Sequence, residues 1–439
     1  MRNNLNQVVK KYLLILLILL LSCRSPINNV KILKPITTQK NGSVRTGLDV
    51  LLEDYPNILK NKTIGLVTNH TGITRNSKNN YKIFQESPNL FLKKIFAPEH
   101  GFFGEASAGA KINYENKNFK KVEIISLYGK NRKPTSAMLK GIDLIIYDIQ
   151  DIGARFYTYI STLGMVIEAA SENGIDVMVF DRPNPIGGEI IEGPILDNSF
   201  KSFIGYYPIP IRYGMTVGEL TNMAVNENWL SSIPKNLTIV KMDGWKRSMY
   251  FNKTGLPWVA PSPNIPDLET AIVYPGRCLI EATNISEGRG TKRPFKQIGA
   301  PWITNTLIEK LQNINLNGVE ISFTKFSPES IPGKTLKPKF KNQTCYGSSL
   351  EITDKYRYKS LETALYELYM IKNLYKDQFQ FNAKTLNKLY GDKSLSNYLN
   401  SGANSDEISI EESVFDFLMK QRNDINRFIK KSSKYYLYD

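Results

Sequence analysis

The chain contains only two histidines, His70 and His100, and each sits beside groups that could move a proton or hold a ligand. His70 falls within Asn69-His70-Thr71, and His100 within Pro98-Glu99-His100-Gly101. A glutamate flanked by Pro98 and by Phe102 and Phe103 can be partly desolvated, which favours the protonated form that a general acid needs. Gly101 and Gly104 would let backbone come close to a sugar-sized ligand. Candidates for a second carboxyl are Asp148, Asp151, Asp181 and Glu287, the last within Asn284-Ile-Ser-Glu-Gly-Arg-Gly-Thr-Lys-Arg293. Hydrolysis of a glycosidic bond usually takes two such groups, about 5–5.5 Å apart for retention and about 6.5–9.5 Å for inversion. Arg155, Arg182, Arg289 and Arg293 lie in glycine- or aromatic-rich contexts, where a planar guanidinium could hold a carboxylate-bearing ligand. Tyr157, Tyr159 and Trp258 would offer flat faces to pyranose rings. There is no Cys/His metal spacing and no G-x-S-x-G elbow, so neither a zinc site nor a serine-hydrolase site is expected.

These groups need elements to position them. From Lys62 onward, strand-like and helix-like segments alternate. Strands are expected at 63–69, 92–98, 122–128, 142–148 and 175–181, with helices at 80–86, 134–140 and, longest, 159–172. That alternation predicts an α/β, Rossmann-like domain with a mostly parallel sheet over residues 46–265. Ligands of such a sheet bind outside the carboxyl ends of its strands. The polar residues gathered there are Asn69, His70, Glu99, His100, Asp148, Gln150, Asp151, Asp181, Arg182 and Asn184. No G-x-G-x-x-G follows the first strand, so a dinucleotide is not expected, and no cofactor is implied. The stretch Leu256–Pro266, which includes Asn264, is rich in proline and suits a cleft-crossing loop. Residues 266–439 read as a second, smaller α+β C-terminal domain that closes the cleft and ends in an amphipathic helix near Glu411–Lys430.

The net charge is +16, with 41% hydrophobic and 22% charged residues. Lys and Arg are scattered rather than clustered, so no nucleic-acid partner is expected. Basic residues precede the apolar run Tyr12–Leu21, which ends in Leu20-Leu21-Ser22-Cys23. Those are the proportions of a signal peptide, residues 1–23, closing on a lipobox-like cysteine. Residues 24–45 are polar and read as a flexible tether. The expected location is therefore exported and lipid-anchored at Cys23, facing the periplasm or cell surface. Cys278 and Cys345 could pair or remain buried thiols.

Several stretches together resemble one family. They include Gly47–Leu52, Gly65–Gly72, Pro98-Glu-His-Gly-Phe-Phe-Gly104, Tyr147–Ile160, Asp181–Gly188, Gly255–Val259, Pro261–Asn264, Ser286-Glu-Gly-Arg-Gly-Thr291 and Tyr435–Tyr438. Through them the chain resembles the NamZ-like exo-β-N-acetylmuramidases, formerly an uncharacterised bacterial family. The resemblance implies an active cleft between the two domains and release of N-acetylmuramic acid from the non-reducing end of peptidoglycan fragments, with neither metal nor nucleotide. It implies Glu99 as the catalytic acid with His100 its neighbour in the site, and Glu287 ahead of the aspartates as the second carboxylate. Lys292 departs from the expected pattern, which has a second threonine there. The rival from another class is a non-catalytic peptidoglycan-binding lipoprotein of the same fold; intact Glu99, His70 and His100 speak for the enzyme.

Overall fold

A computed structural model describes residues 30–37, 42–104, 122–401 and 410–439. Seven strands form the main sheet: β1 (Val30–Leu33), β2 (Thr63–Thr68), β3 (Phe91–Ala97), β4 (Glu123–Ser126), β5 (Leu144–Asp148), β6 (Asp176–Phe180) and β7 (Leu237–Val240). Their order is β1-β7-β6-β5-β2-β3-β4, and every pairing is parallel. Runs such as Leu144-Ile-Ile-Tyr-Asp148 are buried at every position, the pattern of strands covered by helices on both faces. The chain winds outward from β2 to β4, then returns with β5 beside β2 and winds the other way. The direction therefore reverses between β2 and β5, and a crevice is expected over their carboxyl ends.

The sheet begins earlier than the sequence suggests. Within the supposed tether 24–45, Val30–Leu33 pairs in register with Leu237–Val240 as the sheet's edge, and Arg45 is buried against Asp54, Glu53 and Asp243. Four residues carry too little periodicity to mark a strand, and an edge strand needs hydrogen bonds from one side only. Cys23 and the expected signal peptide, residues 1–23, lie outside the described residues.

A second sheet of three antiparallel strands has the order β8-β10-β9, with β8 at Gln297–Ala300, β9 at Val319–Phe326 and β10 at Cys345–Ile352. The helices Leu268–Arg277 and Ser360–Leu374 pack beside it, locked by Arg277 and Glu367, both fully buried and 2.6 Å apart. Cys278 and Cys345 are free, buried thiols. The single amphipathic helix expected near 411–430 is instead two, Ile410–Met419 and Arg422–Ser432, with Phe417 and Phe428 both buried.

The last residues return to the first domain. The Tyr438 hydroxyl donates to Asp181 Oδ2 at 2.6 Å and accepts from the Met242 N–H at 2.8 Å. Burial pushes the Asp181 carboxyl up to about 7, while donors from Tyr438, Thr216 and Gly218 pull the other way. Asp181 thus fastens the carboxyl terminus to the end of β6.

Candidate active site

Strand β3 ends at Ala97, before Pro98, which has no N–H to continue a ladder, and the chain turns sharply at Glu99. His100 has φ 67°, a conformation a non-glycine residue adopts only when its surroundings impose it. Gly101 and Gly104 follow with φ 76° and 71°. A Cβ on Gly104 would lie 2.0 Å from the His70 ring, so only glycine permits the two segments to touch. Glu99 is half-buried, and its Oε2 accepts a 2.8 Å hydrogen bond from the Thr158 hydroxyl. Thr158 is the residue before the helix Tyr159–Glu172 and makes no capping bond of its own. Its hydroxyl therefore holds the carboxylate at the helix's electropositive end.

Glu99 and His100 line a cavity of about 200 Å³ between the sheet domain and the C-terminal region. Tyr157 and Thr158 share their wall, and the Asn264 loop forms the edge. The C-terminal region contributes Tyr274, Glu281, Arg289 and Phe295 to the lining. Arg289 donates to Glu281 Oε1 at 2.6 Å and stacks on the Phe295 ring at 5.1 Å from its centroid. Phe295 is fully buried with φ 59°, a second forced conformation on the pocket surface. The neighbouring Glu281 and Glu287 carboxylates hold the Arg289 guanidinium charged despite burial, raising its pKa further. The Tyr157 hydroxyl is buried against the hydroxyls of Ser262 and Tyr159.

Among the sequence candidates, Glu99, His100, Tyr157, Asn264 and Arg289 meet at this pocket. His70 faces an adjoining open groove with Phe103 and Lys334, its Nε2 2.8 Å from the Ala260 carbonyl oxygen. Asn69 buttresses the wall, donating to the Tyr159 hydroxyl at 3.0 Å.

The remaining candidates are placed elsewhere, by contacts that satisfy them internally. Asp148 is fully buried and paired with Arg182 at 2.6 Å, with Asn80 on its other oxygen. Gln150 donates to the carbonyls of Asp151 and Pro183 beside a crevice of only about 20 Å³, so the switch point of the sheet is filled with protein. Asp151 accepts from the Tyr213 hydroxyl and the Gly153 N–H, and burial pushes its carboxyl up to about 6. Asn184 bonds Met215 O and the Ile186 N–H. Arg155, fully buried, donates to the carbonyls of Pro194, Ile209, Leu389 and Tyr390, joining the two domains. Arg293 donates to Ser349 and the Leu350 carbonyl. Glu287 lies behind Arg289, 3.5 Å from its Nε and 3.1 Å from Lys339 Nζ, and does not line the pocket. Thr158, Glu281, Tyr274 and Phe295 were not singled out from the sequence. Their only signal was proximity to Tyr157 or to the Ser286–Thr291 motif.

A two-domain α/β protein whose sheet rim and second domain enclose a sugar-sized pocket, with a carboxylate from each domain in its lining, has the build of a carbohydrate-active hydrolase. The chain belongs to the NamZ family: the exo-β-N-acetylmuramidase NamZ N-terminal model matches residues 64–269 and the C-terminal model residues 272–438. It is 42% identical to the peptidoglycan β-N-acetylmuramidase NamZ of Bacillus subtilis over 403 residues, 91% of this chain and 93% of that one. Two crystal structures of DUF1343 family proteins from Bacteroides fragilis share the fold. One has a TM-score of 0.79 at 35% identity, covering 90% of this chain and 99% of that one. The other has a TM-score of 0.72 at 32% identity, covering 91% and 99%.

Proposed function

We propose that this protein is an exo-acting glycoside hydrolase that releases N-acetylmuramic acid from the non-reducing end of peptidoglycan glycan fragments. The observation that carries this reading is the pocket of about 200 Å³ that brings Glu99 of the sheet domain together with Arg289 of the C-terminal region. That volume lies below the roughly 300–1,000 Å³ of sites for drug-sized ligands. It suits one terminal sugar ring rather than a threaded chain. The activity named for the Bacillus subtilis relative agrees.

Glu99 acts as the acid that protonates the departing glycosidic oxygen, oriented by the Thr158 hydroxyl. His100 and Arg289 are the two basic side chains among those lining the pocket. They receive the lactyl carboxylate that distinguishes muramic acid from glucosamine, since a guanidinium carries five donors and Glu281 does not exhaust them. A hydrogen bond to a charged group contributes about 1.5–3 kcal/mol. The purified chain is therefore expected to hydrolyse an aryl β-N-acetylmuraminide with a kcat/KM at least about tenfold above the matching N-acetylglucosaminide. Equal rates on the two would sink the proposed carboxylate recognition.

The enzyme works outside the cytoplasm, held to a membrane by lipid on Cys23. The basic start, the apolar run Tyr12–Leu21 and the Leu-Leu-Ser-Cys sequence support this. On fractionating cells that express the full chain, Cys23→Ala should move the protein from the membrane pellet to the soluble fraction; an unchanged pellet would refute the anchor.

A further inference from the structure

We infer that Glu281, rather than Glu287, is the carboxylate that works with Glu99 at the scissile bond; this rests on the muramidase reading above. Glu99 and Glu281 are the two carboxylates lining the pocket, and they come from different domains: one follows β3, the other sits in the short 3-10 helix Cys278–Ala282. Glu281 is 31% exposed, whereas Glu287 is 8% exposed, with Arg289 and Lys339 on its two oxygens. A water beside the sugar could reach the first but not the second.

The support around Glu281 is rigid. Lys339 Nζ donates to the carbonyls of Ile280, Glu281 and Ile285 at 3.0, 3.3 and 2.9 Å, which fastens the turn that carries the carboxylate. Arg289 engages one oxygen, Oε1, at 2.6 Å and is itself backed by Phe295. Because the guanidinium holds only Oε1, the second carboxylate oxygen is left to take a proton. Glu287 then positions Arg289 from behind.

In the step assigned to it, Glu281 takes a proton from water as the water oxygen bonds to the anomeric carbon. The bond from that carbon to the glycosidic oxygen breaks, its electron pair going to the oxygen, which takes the proton of Glu99. Glu281 ends protonated and Glu99 ionised, and proton exchange with solvent restores both.

The test uses the purified chain, a 4-nitrophenyl β-N-acetylmuraminide and the MurNAc–GlcNAc disaccharide. Glu281→Ala is expected to lose about a hundred- to ten-thousand-fold in kcat on both substrates, because water activation is needed whatever leaves. Glu99→Gln should lose far less on the nitrophenyl substrate, whose leaving group needs no proton. Azide should restore Glu281→Ala, with formation of the α-glycosyl azide, and should not restore Glu287→Ala. The isosteric Glu281→Gln, which keeps a partner for Arg289, guards against misfolding and should be equally inactive at an unchanged melting temperature. Activity of both Glu281 variants within tenfold of the parent, or azide rescue of Glu287→Ala instead, overturns the inference. Failure of the unaltered chain to cleave either substrate would instead overturn the muramidase reading.

Discussion

Replacing Glu99 by glutamine should lower kcat on the MurNAc–GlcNAc disaccharide by about a hundred- to ten-thousand-fold, the usual contribution of a positioned acid. The substitution keeps the shape and the hydrogen bond from Thr158 but removes the transferable proton. KM should change little, because a group that acts at the transition state contributes to kcat rather than to ground-state binding. The melting temperature should stay near that of the parent, since Glu99 is half-buried and glutamine can still accept the bond from the Thr158 hydroxyl. Steady-state kinetics with a parallel thermal melt separates the possibilities. A variant that keeps more than a tenth of the parent kcat on the disaccharide would remove Glu99 from the acid's role.

The second large effect is on stability. Arg182 pairs with Asp148 through Nε at 2.6 Å and Nη2 at 3.0 Å, and reaches the Ile73 carbonyl at 2.9 Å. Asp148 is fully buried. Arg182→Ala would leave that carboxylate without its cation in the middle of the sheet's rim, at a cost of about 3–5 kcal/mol. Such a loss is a large share of the roughly 5–15 kcal/mol that holds a typical domain folded. Denaturant midpoints should fall accordingly, and Asp148→Asn added to Arg182→Ala should recover part of the loss by removing the orphaned charge. If the midpoint held steady while KM rose tenfold, Arg182 would belong to the substrate after all.

Much of the fold was legible in the chain itself. Buried parallel strands are nearly continuous apolar runs, so the strands ending at Thr68, Ala97, Asp148 and Phe180 were found within a residue or two, and the helix Tyr159–Glu172 at its full extent. Strand β1 was not found, because a short edge strand is defined by its partner β7 and not by its own pattern. The same reason explains the divided helix after Ile410, where an unbroken amphipathic period spans two elements.

The site divides along the same line. Residue type and place in the chain pointed to Glu99, His100 and Tyr157, since each signal is local: an acid beside apolar rings, one of two histidines at a strand end, an aromatic just ahead of a helix. The sequence also determined that the rim would be polar. Which of those polar groups meet a ligand and which bind one another was decided by tertiary structure alone. Arg155, Asp148, Asp181 and Arg182 carry the charges of binding residues, yet burial without water requires that each be satisfied by protein, and the partners come from distant parts of the chain. Glu281 and Glu287 lie only six positions apart. Only packing around Arg289 turns one toward the pocket and the other away, because a charge can remain buried only where a cation has been folded against it.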